Sequence, residues 1–155
     1  MKSLVVCLSY HHNNTQKIAE VMAKVLEAET KTPQQINPAE LQKYDLVGFG
    51  SGIDSEKHYT VLLDFADKLP QVTNRRAFIF STGAMTGKEK VAKDHLSLRE
   101  KLRSKGYMIV GEFGCKGFNT NGFLRFFGGM NRDRPNDEDL KNAEEFASTL
   151  KQYKE

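Results

Sequence analysis

The fold of this chain is decided by a stretch near its start, residues 4–26, which reads LVVCLSYHHNNTQKIAEVMAKVL. The first five of these residues form an unbroken apolar run, which is typical of a strand buried on both faces of a sheet. The last nine repeat apolar side chains at helical spacing, so they predict a helix with one apolar face. A buried strand that leads directly into an amphipathic helix indicates a parallel α/β sheet.

The same alternation of strand and helix patterns continues to the end of the chain. The predicted strands are residues 4–8, 32–35, 45–50, 77–80 and 107–110. One helix between them carries an apolar stripe made of Val91, His95, Leu98 and Leu102. The last helix is predicted to begin after Asn136, a favourable N-cap residue. Because parallel strands need crossover connections, this pattern predicts a doubly wound α/β sandwich in one domain over residues 1–155.

The composition excludes several classes of protein. Of the 155 residues, 39% are hydrophobic, as expected for a globular chain and not for a disordered one. No apolar run approaches the roughly 20 residues that cross a bilayer, and no signal region opens the chain, so we expect a cytoplasmic protein without a membrane segment. Cys7 and Cys115 do not have the spacing of a disulfide framework or a zinc site. The formal charge of +3 is too small to indicate nucleic-acid binding.

Ligands of doubly wound sheets bind beyond the carboxyl ends of the strands, which directs attention to the loop at residues 9–15. It places hydroxyl and amide side chains directly before a predicted helix N-terminus, where free N–H groups and the helix dipole attract phosphate. Ser9 and Thr15 can donate hydrogen bonds, and Asn13 or Asn14 tolerates the left-handed backbone of an anion-binding loop. The alternative is that Asn14 or Thr15 simply caps the helix.

Other phosphate and metal motifs do not fit. No Gly-x-Gly-x-x-Gly follows the first strand, and GAMTGKE at residues 83–89 lacks both the glycine spacing and the Ser or Thr of a P-loop. A phosphorylated receiver domain would need acidic residues where this chain has Ser9 and Gly50. His11 and His12 have no Cys or acidic cluster nearby in the sequence, so rings that face solvent or phosphate are favoured over a metal site.

From Lys2 to about Tyr153, the sequence resembles the flavodoxin family. The resemblance rests on the order of strands and helices, the first loop ending in Asn14-Thr15, and the segments at residues 113–118, the glycine-rich tract to Gly129 and residues 134–136. It implies a five-stranded parallel sheet in the order 2-1-3-4-5, and FMN as the cofactor. Many flavodoxins hold the flavin between a Trp and a Tyr, whereas this chain has no Trp and offers Tyr10 and Tyr59, with His58, in the strand-end loops.

The resemblance also implies which residues hold FMN. The predicted phosphate-binding residues are Ser9, His11, His12, Asn13, Asn14 and Thr15. One edge of the isoalloxazine ring would lie beside Gly52, Ile53, Asp54 and Ser55. The other edge would be bordered by Ser81, Thr82, Gly83, Ala84 and Met85. Gly52 is the candidate for turning its peptide toward the flavin N5 and so tuning its redox state, and the alternative is that Gly50 and Gly52 are ordinary turn glycines.

Two functions are compatible with a flavodoxin-like chain. In the first, the protein carries electrons between redox partner proteins and has no substrate or catalytic residue of its own. In the second, it is an NAD(P)H-dependent FMN oxidoreductase that reduces a quinone or a similar small acceptor. The first is favoured, because a chain this short leaves little room for a second substrate. The slightly basic charge is unlike that of the strongly acidic flavodoxins that dock on basic partners.

A long stretch without clear periodicity begins at Gly114 and ends at Pro135. Loops of this length inside compact domains are usually functional or disordered. Its phenylalanines and arginines favour an interface over disorder. We expect it to cover the flavin edge and to present a basic docking surface to an acidic partner or to the phosphates of a nicotinamide. The alternative is that the phenylalanines fill the core while the arginines are solvated.

Overall fold

A computed structural model describes residues 1–10, 13–84, 87–117 and 134–152 of the protein. The strands are β1 (Ser3–Leu8), β2 (Glu29–Lys31), β3 (Leu46–Asp54), β4 (Lys57–His58), β5 (Arg75–Gly83) and β6 (Tyr107–Lys116). The helices are α1 (Asn14–Leu26), α2 (Thr60–Asp67), α3 (Lys88–Asp94), α4 (Leu96–Ser104) and α5 (Asp137–Lys151), with a 3-10 helix at Pro38–Lys43. Within these described ranges, no helix has both the length and the apolar character needed to cross a membrane.

The sheet is parallel in the order β2-β1-β3-β5-β6, and the short β4 pairs antiparallel with the end of β3. Counted without β4, this is the predicted order 2-1-3-4-5, so the doubly wound fold is confirmed. α1 and α5 pack on one face of the sheet, over a core that includes Ile18 and Phe78. α2 and α4 pack on the other face, over a core that includes Leu62 and Ile79.

The helices follow the sequence pattern closely. α1 buries Ile18, Met22 and Leu26, which lie on the predicted apolar stripe. α5 begins after Asn136, whose side chain accepts a hydrogen bond from the N–H of Asp139. Asp139 in turn accepts one from the N–H of Asn136. Such a reciprocal capping box fixes where a helix begins and contributes about 1 kcal/mol to its stability.

Two elements differ from the sequence prediction. The second strand is Glu29–Lys31, and the prediction of residues 32–35 was wrong because Pro33 lacks a backbone donor and lies in a turn. The single helix predicted around His95 is divided at that residue, where α3 ends and α4 begins. The division leaves the His95 side chain buried against the sheet.

The loop predicted after the third strand is largely a β-hairpin. β3 continues to Asp54 and pairs with β4 across a turn formed by Ser55 and Glu56. These two residues have φ values of 52° and 63°, as a type I′ hairpin turn requires. The candidate residues Gly52, Ile53 and Asp54 therefore belong to a strand, and Ser55 belongs to a turn.

β6 is longer than predicted, reaching Lys116, and contains a β-bulge at Val110. The residue before Val110 pairs with Ala77 and the residue after it pairs with Phe78, so Val110 is the extra residue. Because side chains alternate between the two faces of a strand, one extra residue moves all that follow to the opposite face. The bulge thereby turns Glu112 toward α4.

Candidate functional site

The amino end of α1 follows β1 at the carboxyl edge of the sheet. Asn13 precedes the helix with a left-handed backbone, φ 56° and ψ 31°, and its N–H donates to the carbonyl of Tyr10 at 3.2 Å. The Asn13 side chain does not cap the helix, and the first turn contains no acidic residue. The Ser9 hydroxyl accepts a hydrogen bond from the N–H of Gln16 at 3.3 Å. The positive end of the helix dipole therefore has no carboxylate in its first turn, an arrangement that attracts phosphate.

Thr15 joins α1 to β5. Its Oγ1 lies 2.8 Å from Oγ1 of Thr82, and both side chains are buried. Since Asn13 occupies the N-cap position, the alternative that Asn14 or Thr15 caps the helix was wrong. A bond between two hydroxyls uses one of their two hydrogens, so the second hydrogen remains for another acceptor.

The end of β6 closes on the same region. The N–H of Gly117 donates to the carbonyl of Gly83 at 3.0 Å. A Cβ at Gly117 would lie 2.6 Å from Nδ2 of Asn14, so a residue without a side chain is needed where the strand passes the helix. The first loop and the ends of β5 and β6 therefore meet at one edge of the sheet.

A cavity of about 670 Å³ lies beside the first loop, lined by Tyr10 and by residues 53–55 and 57–61. Cavities of this size hold small-molecule ligands. The rings of Tyr10 and Tyr59 stack on each other with centroids 5.0 Å apart and planes inclined by 28°. Burial, with Asp54 and Tyr10 nearby, raises the pKa of Tyr59. The Tyr59 hydroxyl is therefore protonated at neutral pH and can donate a hydrogen bond.

Gly52 lies inside β3, where it pairs with Thr82. A Cβ at Gly52 would lie 2.2 Å from the Tyr59 hydroxyl oxygen, and one at Gly50 would lie 2.2 Å from the Phe80 ring. The interpretation of both residues as ordinary turn glycines was therefore wrong, because close packing and not a turn requires them. The φ of Gly52 is outside the left-handed range, and its role in tuning a flavin stays a prediction.

Comparison with known proteins identifies the family. The family model of the flavodoxin domain matches residues 5–151. The chain belongs to the flavodoxin domain family. A relative in Methanocaldococcus jannaschii, an uncharacterised protein, is 44% identical to it over 150 residues, which make up 97% of this chain and 98% of the relative.

Solved structures share the flavodoxin fold. Oxidised flavodoxin 1 of Bacillus cereus aligns over 99% of this chain and 100% of its own, with a TM-score of 0.71 and 19% identity. The apo form of an NADH:FMN oxidoreductase aligns over 98% of this chain and 89% of its own, with a TM-score of 0.66 and 19% identity. At these identities the likeness shows the fold alone.

The described members of all three predicted groups of site residues lie at the carboxyl edge of this flavodoxin sheet. The described members are Ser9, Asn13, Asn14, Thr15, Gly52, Ile53, Asp54, Ser55, Ser81, Thr82, Gly83 and Ala84. His11, His12 and Met85 lie outside the described residues, as does most of the predicted docking stretch, residues 118–133. The contacts of these residues with FMN or with a partner stay predictions.

Sequence reasoning missed a row of polar side chains on the α4 face of the flavodoxin sheet. His95 Nε2 lies 2.7 Å from Ser81 Oγ, and His95 Nδ1 lies 2.9 Å from Glu112 Oε1. Arg99 donates to both Glu112 oxygens, at 2.7 and 2.8 Å. Burial alone would raise the pKa of Glu112, but hydrogen bonds from His95 and Arg99 outweigh it and lower the pKa to about 2. We call Ser81, His95, Glu112 and Arg99 the polar row.

His58 lies between the polar row and the cavity. Its ring lines the cavity, and its centroid is 4.9 Å from that of His95. Burial first, and the neighbouring His95 second, lower the pKa of His58 to about 3, so the ring is neutral at neutral pH. His58 Nε2 lies 3.0 Å from the carbonyl oxygen of Phe80, an acceptor, so Nε2 carries the proton.

Proposed function

We propose that this protein binds FMN at the carboxyl edge of its sheet and carries electrons between redox partner proteins. One observation carries the proposal: a helix end suited to a phosphate and a cavity suited to a planar ring lie side by side. Tyr10 lines the cavity, and its carbonyl accepts a hydrogen bond from the N–H of Asn13 before the helix. FMN supplies one- or two-electron chemistry, which the protein sets through its contacts and through the exclusion of water. We also propose a cytoplasmic location, on the sequence grounds given above.

The residues at the amino end of α1 fit a phosphate. The Ser9 hydroxyl accepts from the N–H of Gln16, so its own hydrogen is available for an anion. Thr15 can accept from Thr82, which bonds it at 2.8 Å, and then donate its own hydrogen outward. Asn13 supplies the left-handed backbone that opens the helix. These groups would hold the phosphate by hydrogen bonds and the helix dipole, without a lysine.

The cavity wall fits an aromatic ring. Tyr10 and Tyr59 turn flat faces toward each other, and half of the Tyr10 surface is exposed. A flavin ring could replace either tyrosine as the stacking partner of the other, since offset stacking of two aromatic rings contributes about 0.5 to 1.5 kcal/mol. Gly52 keeps the Tyr59 hydroxyl close to the β3 backbone. Tyr59 is therefore the more firmly held of the two faces.

Titration of the apoprotein with FMN and with riboflavin tests this assignment. Thr15→Val removes one hydrogen bond to a charged phosphate, which contributes about 1.5 to 3 kcal/mol, so FMN affinity should fall at least about tenfold. Riboflavin affinity should change much less. Thr82→Val is the matched control, because it breaks the same hydroxyl pair but leaves the Thr15 hydroxyl in place. Its ratio of FMN to riboflavin affinity should stay close to that of the wild type.

Two results would overturn the phosphate assignment. One is a Thr15→Val variant that binds FMN as tightly as the wild type. The other is a wild-type protein that binds riboflavin as tightly as FMN. If Thr15→Val and Thr82→Val change the affinity ratio equally, the hydroxyl pair has only a structural role.

A second cavity supports the alternative of an NAD(P)H-dependent FMN oxidoreductase. It measures about 580 Å³ and is lined by Gly87, Lys88, Val91, Arg99 and Glu112, among others. The fold is also that of an enzyme named NADH:FMN oxidoreductase. Anaerobic mixing of the FMN-loaded protein with NADH and NADPH separates the two functions. Reduction within seconds supports the oxidoreductase, whereas a carrier stays oxidised until a protein donor is added.

The redox partners enter this proposal as acidic proteins that dock at residues 114–135. Lys116, Arg125, Arg132 and Arg134 supply the positive charge in that stretch, against one acidic residue. Arg134 pairs with Asp139 of α5, so the docking charge is assigned to Lys116, Arg125 and Arg132. Association driven by exposed charges slows as salt screens them. Reduction by the physiological donor should therefore slow with added salt, and a salt-independent rate would remove this docking surface from the proposal.

A further inference from the structure

The polar row is a buried charged network that has no assigned role in the proposed electron carrying. His95 is fully buried and Ser81 is 3% exposed, and the Arg99 and Glu112 side chains are 14% and 24% exposed. Withdrawing charged and polar groups from water costs free energy unless each finds a partner. In the polar row each ionisable side chain has a hydrogen-bond partner. Glu112 and Arg99, at the outer end of the row, line the second cavity.

The β-bulge at Val110 builds this network. If side chains alternated without a bulge from Ile109 onward, Glu112 would face α5 on the other side of the sheet, where it would have neither His95 nor Arg99. Bulges are frequent beside functional sites, where they redirect a side chain. The backbone of β6 is thus arranged to place a carboxylate beneath a buried histidine.

The order serine, histidine, carboxylate also occurs in hydrolases, but the surroundings here exclude a nucleophile. Ser81 is 3% exposed and pairs with Gly114 of β6. A Cβ at Gly114 would lie 3.5 Å from the Ser81 oxygen and 2.6 Å from a methyl group of Val91, so this part of the sheet is closely packed. A substrate carbonyl has no approach to it, and an attacking serine must be within reach of its substrate. What the row can do is hold or release a proton.

The hydrogen bonds define where that proton goes. Ionised Glu112 accepts from Nδ1–H of His95, so in the neutral ring Nε2 accepts the hydrogen of the Ser81 hydroxyl. When a proton from water binds at Nε2, the new N–H donates to Ser81 Oγ, and the Ser81 hydroxyl turns its hydrogen away. The row then gains one positive charge by a rotation of one hydroxyl, with every heavy atom in place.

The charged groups around His95 all affect the protonation of its Nε2. Glu112 on β6 favours the protonated ring, while Arg99 on α4 opposes it. On the adjacent α3, Asp94 pairs with Lys90, and the exposed Lys93 pairs with Glu56 at 3.0 Å. His58 on β4 stays neutral and separates His95 from the cavity by one ring. Negative charge that appears in that cavity would therefore favour the protonated form of His95.

We propose that His95 is a redox-linked proton site, which takes one proton from water at Nε2 when a donor protein places an electron on the bound FMN, and releases it on reoxidation. This inference rests on the proposed function. In that function His95 contacts neither the flavin nor a partner protein. It acts through its charge, from behind the cavity wall. By linkage, the factor by which reduction raises the proton affinity of His95 equals the factor by which the protonated ring favours reduction.

Nuclear magnetic resonance of ¹⁵N-histidine-labelled protein provides the test. In the apoprotein, the spectrum should show Nδ1–H and an unprotonated Nε2 for neutral His95, with Glu112→Gln altering the Nδ1 signal and Glu145→Gln, an exposed charge-matched control on α5, leaving it unchanged. In the FMN-loaded protein, the midpoint of the His95 titration should move up by at least about one pH unit on reduction. This tenfold change in proton affinity corresponds to about 59 mV for a one-electron couple.

The outcomes separate this inference from the proposed function. If FMN does not bind, both fall together. If FMN binds but His95 titrates at the same pH in the oxidised and reduced proteins, FMN binding stands and the polar row has only a structural role. His95→Gln should abolish about 59 mV of the pH-linked change in potential, and a variant that keeps the wild-type pH dependence would likewise overturn the inference.

Discussion

Ser81 and Thr82 are neighbours in β5, yet their side chains enter two different environments. Thr82 points to the α1 face and bonds one neutral hydroxyl, that of Thr15, at 2.8 Å. Ser81 points to the α4 face and meets His95, the first member of a row that continues to Glu112. Because side chains alternate along a β-strand, these two neighbouring residues place a neutral hydroxyl pair on one face of the sheet and the ionisable polar row on the other.

The difference predicts how each side responds to its surroundings. The hydroxyl pair contains no group that titrates in the accessible pH range, so its contribution should be the same at every pH. The α4 face contains a carboxylate and two histidines in contact with one another or nearly so, and its stability must change with pH. The hydroxyl pair is suited to hold the predicted ligand-binding loop in place, and the polar row is suited to respond to charge.

The largest effect is expected from His58 under mild acid. Its pKa is lowered from 6.5 to about 3, so between these values the unfolded chain binds a proton that the folded protein does not. Stability is present in full above pH 6.5 and is lost as pH falls, by up to about 1.4 kcal/mol per pH unit and about 4 to 5 kcal/mol in all. Urea unfolding of the wild type from pH 7.5 to 4.5 measures the first part of this loss.

His58→Gln should flatten that dependence. The glutamine amide can still donate to the carbonyl of Phe80, as His58 Nε2 does, but it takes up no proton in this range. The difference in unfolding free energy between variant and wild type should therefore shrink, or reverse in favour of the variant, as pH falls to 4.5. Parallel curves for the two proteins would show that the acid sensitivity lies elsewhere.

A smaller effect is expected from Glu112→Gln at neutral pH. The change leaves Arg99 and the ring of His95 without their carboxylate, and should lower the free energy of unfolding by about 2 to 3 kcal/mol. The pKa of Glu112 is lowered from 4.5 to about 2, so its stabilisation is present above pH 4.5 and is lost as pH falls toward 2. The variant should lack that loss.

Glu145→Gln is the control for this change. It removes the same charge from an exposed position on α5, where substitutions usually alter stability by less than about 0.5 kcal/mol. Equal stability of the Glu112→Gln variant and the wild type at pH 7 would mean that the polar row contributes nothing to folding. The stability change from His58 runs from pH 6.5 to about 3, and that from Glu112 runs from pH 4.5 to about 2. Measurements above pH 4.5 therefore report on His58 alone, and those below about pH 3 report on Glu112.

The sequence pointed to Thr15 and Thr82 of the hydroxyl pair, but it gave no indication of the hydrogen-bonded polar row. Thr15 stands in a loop whose residue types indicated a ligand site, and Thr82 follows the fourth predicted strand, residues 77–80, which lies two places from the first strand in the sheet. Strand order alone brings such residues to one edge. The bond between their hydroxyls joins two residues of the predicted site, which the sequence alone did not show.

The polar row escaped prediction for two physical reasons. His95 fell on the spacing of an apolar helical stripe, and it is indeed buried there, so periodicity gave no sign that its ring was hydrogen-bonded. Glu112 was placed beyond a strand predicted to end at Val110, and the bulge at that residue decides which face Glu112 occupies. A bulge depends on pairing with β5, which is tertiary information that local pattern does not contain. A histidine within an apolar stripe was the one available signal.

The smallest effect is expected from the hydroxyl pair itself. Thr82→Val keeps the shape of the side chain but leaves the buried Thr15 hydroxyl without this partner, and should lower the free energy of unfolding of the apoprotein by about 1 kcal/mol. Thr15→Val should cost a similar amount. In the double variant neither hydroxyl remains to be satisfied, so its loss of stability should be smaller than the sum of the two single losses.

Because no titratable group takes part in the hydroxyl pair, these differences in stability should be equal at pH 7 and pH 5, in contrast to those on the α4 face. Additive losses in the double variant would show that the two hydroxyls are not coupled, and a cost that varies with pH would contradict the division of β5 into a neutral and an ionisable side.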